Sequence, residues 1–279
     1  MSDQPAHAVY TKLLLRQSHG RPLWIPEPDS NLPDVYRDKG VSVGDLVILT
    51  DDGGYDFLFN VCAEAHDPVN RDRVPPQFQP LRIPSSHAIR RIPYIHCRNA
   101  SIASAHVSKR TIAVEGSAEM TPFVTGGGGF EFSTSKAEAA VLMLPDGGNR
   151  YDTRRRELFQ QYAYQNGLSW YEYAQWAPNG TLYLVTGCDK ARSWMTAAAT
   201  CPSKSHTISV KFAVGPIVEG RILCIHLGAR RVLGLMVLGC TPTIPILCPG
   251  KIINAYSCGD SPLLSGKIAL CRKYGVLFS

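Results

Sequence analysis

Hydrophobic and polar positions alternate most cleanly between residues 45 and 61. Asp45-Leu-Val-Ile-Leu-Thr50 is a short apolar, β-branched run, and Asp51-Asp-Gly-Gly54 supplies turn chemistry. Tyr55, Phe57, Phe59 and Val61 then fall on one face of an alternating segment. Strand, Asp-Gly turn and strand predict a β-hairpin, started by Gly44 and Asp45. Alternation or short apolar runs predict further strands around Ile102, Val107, Ile112 and Val114, at Phe130–Ser135, at Ala139–Leu144, at Thr181–Thr186 and at Thr207–Val214. Gly187–Lys190 reads as the turn after one of these strands, and Ser193–Thr200 alternates poorly.

The period changes once, to that of a helix. Leu158, Phe159, Tyr162 and Ala163 form an apolar face, and Asp152 or Thr153 is the expected N-cap. Either Asn166-Gly167 stops this helix and Ser169 caps a second turn with Trp170, Tyr173 and Ala174, or one helix runs through Gly167 at a cost of about 1 kcal/mol. Lys12 to Arg16 predicts a single helical turn. The first 40 residues are punctuated by Pro22, Pro26, Pro28 and Pro33. Residues 66 to 86, with Pro68, Pro75, Pro76, Pro80 and Pro84, predict a long loop that is functional or wrapped over a surface. Periodicity fails after Gly220. The expected class is therefore α+β: a strand-rich single body with one aromatic helix near 152–176 and an irregular C-terminal tail. The expected division is a β-rich domain over 1–220 and a basic, Cys-rich tail over 221–279.

Composition changes that picture mainly at the tail. The 279 residues are 44% hydrophobic and 19% charged, which excludes a wholly disordered chain. A formal charge of +6 taken alone suggests an anionic partner. Up to Gly220, however, there are 22 basic and 22 acidic residues, while the last 59 hold seven basic residues and only Asp260 as an acid. The excess charge belongs wholly to the tail, so a nucleic-acid partner is disfavoured, and a protein partner or a membrane surface is kept. Five of the nine cysteines lie in the same 59 residues. The N-terminal residues lack a secretory apolar core, which predicts a cytoplasmic protein with free thiols at Cys62, Cys97, Cys188 and Cys201. Val232–Gly250 is uncharged, but Pro242, Pro245 and Pro249 speak against a spanning helix.

Candidate chemistry is sparse. Cys188, Asp189 and Lys190, with His206 as the nearest base in sequence, form the candidate catalytic set; Lys190 and Arg192 could lower the thiol pKa, and nothing in the sequence brings His206 into reach. Cys62, His66, His96 and Cys97 suggest zinc, but adjacent His96 and Cys97 point to opposite faces of a strand, so two separate buried thiols and two surface histidines are expected and no metal is assigned. Asp146 and Asp152 are a candidate carboxylate pair, with scattered turn acids as the simpler account. Gly126–Gly129 lacks the Lys-Ser/Thr of a phosphate loop. No cofactor is implied. Seven aromatics crowd Phe159–Trp176, just after Arg154-Arg-Arg156. A core-facing stripe is the first explanation; a protein-contact patch of Trp170, Tyr171, Tyr173 and Trp176 is the second.

Gly20-Arg-Pro-Leu-Trp-Ile-Pro-Glu-Pro28, Gly44-Asp45 with Asp51-Asp-Gly-Gly-Tyr-Asp-Phe57, Leu144-Pro-Asp-Gly147, Trp170-Tyr171 and Asn179-Gly-Thr-Leu-Tyr-Leu-Val-Thr-Gly-Cys-Asp-Lys190 occur in this order. The chain resembles, over residues 10 to about 220, a group of uncharacterised proteins from mushroom-forming fungi. The resemblance implies no reaction, cofactor or active site. Its departure after 220 suggests an altered reading frame or a retained intron there, against the alternative of a Cys-rich appendage. The sequence thus leans away from an enzyme and towards a non-catalytic protein-interaction or ligand-sensing module. The alternatives are a membrane-acting, pore-forming protein and a cysteine-dependent hydrolase using Cys188.

Overall fold

The computed structural model describes residues 4–84, 89–113, 128–174, 181–200, 208–218, 221–229, 234–237 and 268–276. Its helices are α1 (Ala6–Leu14), α2 (Asp34–Lys39) and α3 (Arg156–Tyr173). Its strands, in chain order, are β1 (Arg21–Pro22), β2 (Asp45–Leu49), β3 (Tyr55–Asn60), β4 (Ile89–His96), β5 (Ala100–Ala103), β6 (Ser108–Ala113), β7 (Gly128–Thr134) and β8 (Glu138–Leu144), then β9 (Gly148–Thr153), β10 (Leu182–Ala191), β11 (Met195–Thr200), β12 (Ile208–Val218), β13 (Arg221–Ala229), β14 (Gly234–Val237) and β15 (Ile268–Val276). The protein is strand-rich α+β. It divides into two compact units, each assembled from three separate stretches of chain.

One unit comprises residues 1–17, 99–145 and 193–263. It holds two four-stranded antiparallel sheets, ordered β14-β11-β8-β5 and β13-β12-β7-β6. Ala139, Val141 and Met143 of β8 and Met195, Ala197 and Ala199 of β11 meet Phe132, Ile208, Val210 and Phe212 of the second sheet. Helix α1 lies against the same two strands and buries Val9, Tyr10 and Leu14. Covering both faces explains why β8 and β11 read as continuous apolar or small runs without alternation. It also corrects the expectation at Ser193–Thr200, which is a buried strand, and at Lys12–Arg16, where a nine-residue helix starts earlier, at Ala6 just after Pro5.

The second unit comprises residues 18–98, 146–192 and 264–279. Its seven-stranded antiparallel sheet runs β1-β15-β10-β2-β3, with β9 also on β10 and β4 on β9. Strand β10 is the fork. Tyr183 and Leu184 pair with β2, whereas Gly187 to Ala191 pair with β9. The expected turn at Gly187–Lys190 is therefore strand. The chain continues through a register shift between Val185 and Gly187, where a Cβ on Gly187 would collide with Asp152 Oδ1.

The hairpin forms as expected, with Gly53 at φ +87° in its turn. Its alternation breaks at one point. Leu46 pairs with Phe59 and Val47 with Phe57, leaving Leu58 as an extra residue. Tyr55 and Phe57 pack with Val47, Leu49 and Tyr36 on the α2 face, while Phe59 and Val61 turn to Leu46, Ile48 and α3 on the other. Helix α3 runs unbroken through Gly167 and buries Phe159, Ala163, Gly167 and Trp170, a stripe of spacing four, four and three. It starts at Arg156 because β9 extends to Thr153, whose hydroxyl accepts from the Arg155 N–H. The described residues after 220, expected to be irregular, are strands: β13 and β14 belong to the first unit, and β15 pairs along β10 in the second. No helix among the described residues is long and apolar enough to cross a membrane.

Candidate binding cleft and buried ion cluster

The second unit carries a cleft of about 640 Å³ lined by Pro33, Phe57, Leu58, Pro68, Arg71, Asp72, Arg73 and Tyr173. Phe57 and Leu58 come from β3, the last strand of the sheet order, and Tyr173 ends α3. The rim is the loop after β3, and one side chain sets its course. Asn70, fully buried, accepts from the Asn60 N–H at 2.8 Å through Oδ1 and donates through Nδ2 to the carbonyls of Asn60, Ala63 and Glu64. A side-chain amide suits this place because its oxygen accepts while its nitrogen offers two N–H groups to the surrounding carbonyls. Asp67 turns the chain, its Oδ1 accepting from Val69 N and its carbonyl from Asn70 and Arg71 N. Asp72 sits at φ +62°, so Arg71 and Arg73 leave a tight bend and reach the same cleft.

Neither guanidinium pairs with a carboxylate among the described residues. Burial pushes the Tyr173 hydroxyl pKa up, and Arg73 opposes that rise. Two cations and the Asp72 carboxylate thus stand over a floor of proline and aromatic carbon. Such a cleft can take a monoanionic group with an apolar body.

A second polar group lies on the sheet. Asp189 of β10 stands opposite Arg150 of β9. Arg150 donates to it in a fork, Nε to Oδ1 at 2.7 Å and Nη2 to Oδ2 at 2.8 Å, and His96 Nε2 lies 2.8 Å from Oδ2. Burial pushes the Asp189 carboxyl up, but the hydrogen bonds and charges of Arg150 and His96 outweigh it and hold it below its ordinary value. Asp189 and His96 are both buried. This corrects the expectation of a surface histidine at position 96.

The candidate catalytic set does not converge. Cys188 and Lys190 face α2, with Cys188 Sγ donating to the Val41 carbonyl and Lys190 Nζ to the Lys39 carbonyl, whereas Asp189 faces the other way. Burial pushes the Cys188 thiol up to about 12, and the nearby Lys190 charge offsets only part of that, so the expected activation is reversed. His206 lies outside the described residues. Of the zinc set, Cys62 is partly buried with its thiol pushed up to about 12 by burial, His66 is exposed, and Cys97 is exposed too, which corrects the expectation of a buried thiol there. Asp146 lies in the turn before β9, and Asp152 near that strand's far end.

The aromatic patch separates by helical position. Trp170 is 2% exposed and belongs to the core, edge-on to Phe59 at 6.1 Å, so its place in a surface patch is corrected. Tyr171 is exposed, and Tyr173 lines the cleft. Trp176 lies outside the described residues. Aromatic crowding along the chain points to Tyr173 but nothing local points to Arg71 or Arg73, whose one signal is the proline-punctuated loop that contains them. Arg150 carried no signal, since its partner Asp189 is distant in sequence.

Strand-rich α+β architecture with an arginine-rimmed cleft is the class that fold and site define. No protein-family model matches the chain, and no curated protein matches it.

Proposed function

We propose that this protein is a non-catalytic ligand-sensing module, and that its cleft binds a monoanion, a carboxylate on an apolar or aromatic body. The observation that carries this reading is the pair Arg71 and Arg73 held without carboxylate partners, among the described residues, above Phe57, Pro33 and Tyr173. Two guanidinium groups set against Asp72 leave one net positive charge, which suits a carboxylate better than a dianion. The buried, protonated state favoured at Cys188 supports a binding role over thiolate chemistry. The cytoplasmic setting and the kinship with fungal proteins belong to the same proposal.

The test is a thermal-shift and calorimetric titration with N-acetylphenylalanine and its uncharged amide. The acid should bind and the amide should not. Arg71→Ala and Arg73→Ala should each weaken binding about tenfold, the loss of one charged hydrogen bond. Equal binding of acid and amide, or an unchanged affinity in the double variant, would overturn the reading.

A further inference from the structure

Among the described residues, one group of three possible metal ligands converges: His19, His96 and Asp189, each offering an atom within 4.8 Å of the others. It is separate from the cleft residues and independent of their proposed role. Three segments distant in sequence supply it. His19 precedes β1, His96 ends β4 and Asp189 lies in β10. The two imidazole rings are 5.3 Å apart, tilted by 57°.

Two imidazole nitrogens and one carboxylate oxygen are a donor set suited to zinc-class ions rather than to calcium or magnesium, which favour oxygen. Bonds of about 2.0–2.2 Å at the tetrahedral angle place neighbouring donors around such an ion roughly 3.3–3.6 Å apart. His96 Nε2 and Asp189 Oδ2 stand 2.8 Å apart, joined by a hydrogen bond, and must part by roughly half an ångström when an ion takes the place of the hydrogen between them. His19 has to close in, and it is the partly exposed member, on a segment bent by Ser18 at φ +59° and Gly20 at φ +110°. Arg150 holds both carboxylate oxygens and so fixes Asp189 as an outer partner fixes a ligand, while its charge opposes a cation and moderates affinity.

We propose that His19, His96 and Asp189 form a binding site for a zinc-class divalent ion that clips the segment before β1 and the end of β4 to β10. On binding, His96 carries its hydrogen on Nδ1 and turns the Nε2 lone pair to the ion; His19 supplies the third ligand, and solvent completes the tetrahedron. The ion binds the folded arrangement and not the separated segments, so it raises the melting temperature by linkage.

The experiment titrates the full chain with zinc chloride by calorimetry and follows the melting temperature in parallel, with magnesium chloride as the second arm. Zinc should bind at one site and raise the melting temperature; magnesium should do neither. His19→Ala, a change at a partly exposed position, should weaken zinc binding at least tenfold and remove the thermal shift, and His96→Gln should do the same. Arginine at position 150 is kept in both variants so that the Asp189 carboxylate stays in place. Absence of zinc binding, equal stabilisation by magnesium, or zinc affinity unchanged in His19→Ala and His96→Gln would overturn the proposal. Because His19→Ala leaves the cleft untouched, its binding of N-acetylphenylalanine reports on the proposed function separately.

Discussion

Two carboxylates lie deep on opposite faces of the same sheet, and their surroundings push them in opposite directions. Asp45 is 0% exposed and Asp189 3%. Asp45 is held by neutral donors: Oδ2 accepts from Ser42 N at 2.6 Å and Tyr36 Oη at 2.9 Å, and Oδ1 from Asn60 Nδ2 at 2.7 Å. Burial dominates there and raises its pKa to about 6, against those hydrogen bonds. Asp189 has a guanidinium and an imidazole, and its pKa falls. Equal depth therefore does not mean equal charge: hydrogen bonds satisfy a carboxylate's oxygens, but a cationic partner offsets desolvation. Asp45 serves the fold, tying α2, the hairpin and, through Asn60, the Asn70 loop that presents the cleft arginines. Asp189 keeps a negative charge among imidazoles.

The comparison breaks most severely if the cation is taken away. Arg150→Met leaves Asp189 buried beside His96 alone, and should cost about 3–5 kcal/mol in urea unfolding, the usual cost of orphaning one member of a buried pair. A loss below about 1 kcal/mol would mean that the charge is solvated in some other way. Asp45→Ala strands three donors at once and should cost about 3 kcal/mol, less than three separate penalties because Tyr36 and Tyr55 can turn to each other.

The pH dependence sharpens the contrast by sign. Asp45 has a raised folded pKa, so its contribution to stability is fully present below the ordinary 3.8 and is lost as pH rises to about 6. Asp189 has a lowered folded pKa, so its contribution is present above the ordinary carboxylate range and is lost as pH falls through the folded value. Unfolding free energies measured between about pH 4 and about pH 6 should therefore include a falling component that Asp45→Asn removes. The smallest effect is expected at Lys190, which lowers the Asp45 pKa from its place by α2. Lys190→Met should raise the midpoint of the Asp45 titration, followed by carboxyl NMR shifts, and should change stability by about 1 kcal/mol or less.

The legibility of the chain follows the range of the forces involved. The hairpin was readable because turn residues and alternation act over a few positions, but the bulge at Leu58 was not, since it depends on the facing register of Leu46 and Val47. The aromatic helix was readable from its spacing. Which aromatics face inwards was not, and adjacent Trp170 and Tyr171 separate into core and surface only when the helix packs on Phe59. For the cleft, the loop and Tyr173 stood out, whereas Arg71 and Arg73 became a pair only through Asn70, which fixes the loop. His96 and Asp189 are 93 positions apart, and no local pattern joins them.

By itself the sequence determined the strand-rich class, the hairpin, the helix and the concentration of excess charge in the last 59 residues. These follow from composition and from side-chain periods of two and 3.6, which are local properties. Tertiary structure decided that Gly187–Lys190 is strand rather than turn, that Cys188 is a protonated core thiol, and that Asp189 meets Arg150 and His96. Each of those outcomes depends on what β9, β15, α2 or β4 brings alongside β10. Desolvation and ion pairing act between groups brought together only by folding, so their balance lies outside what linear order can specify.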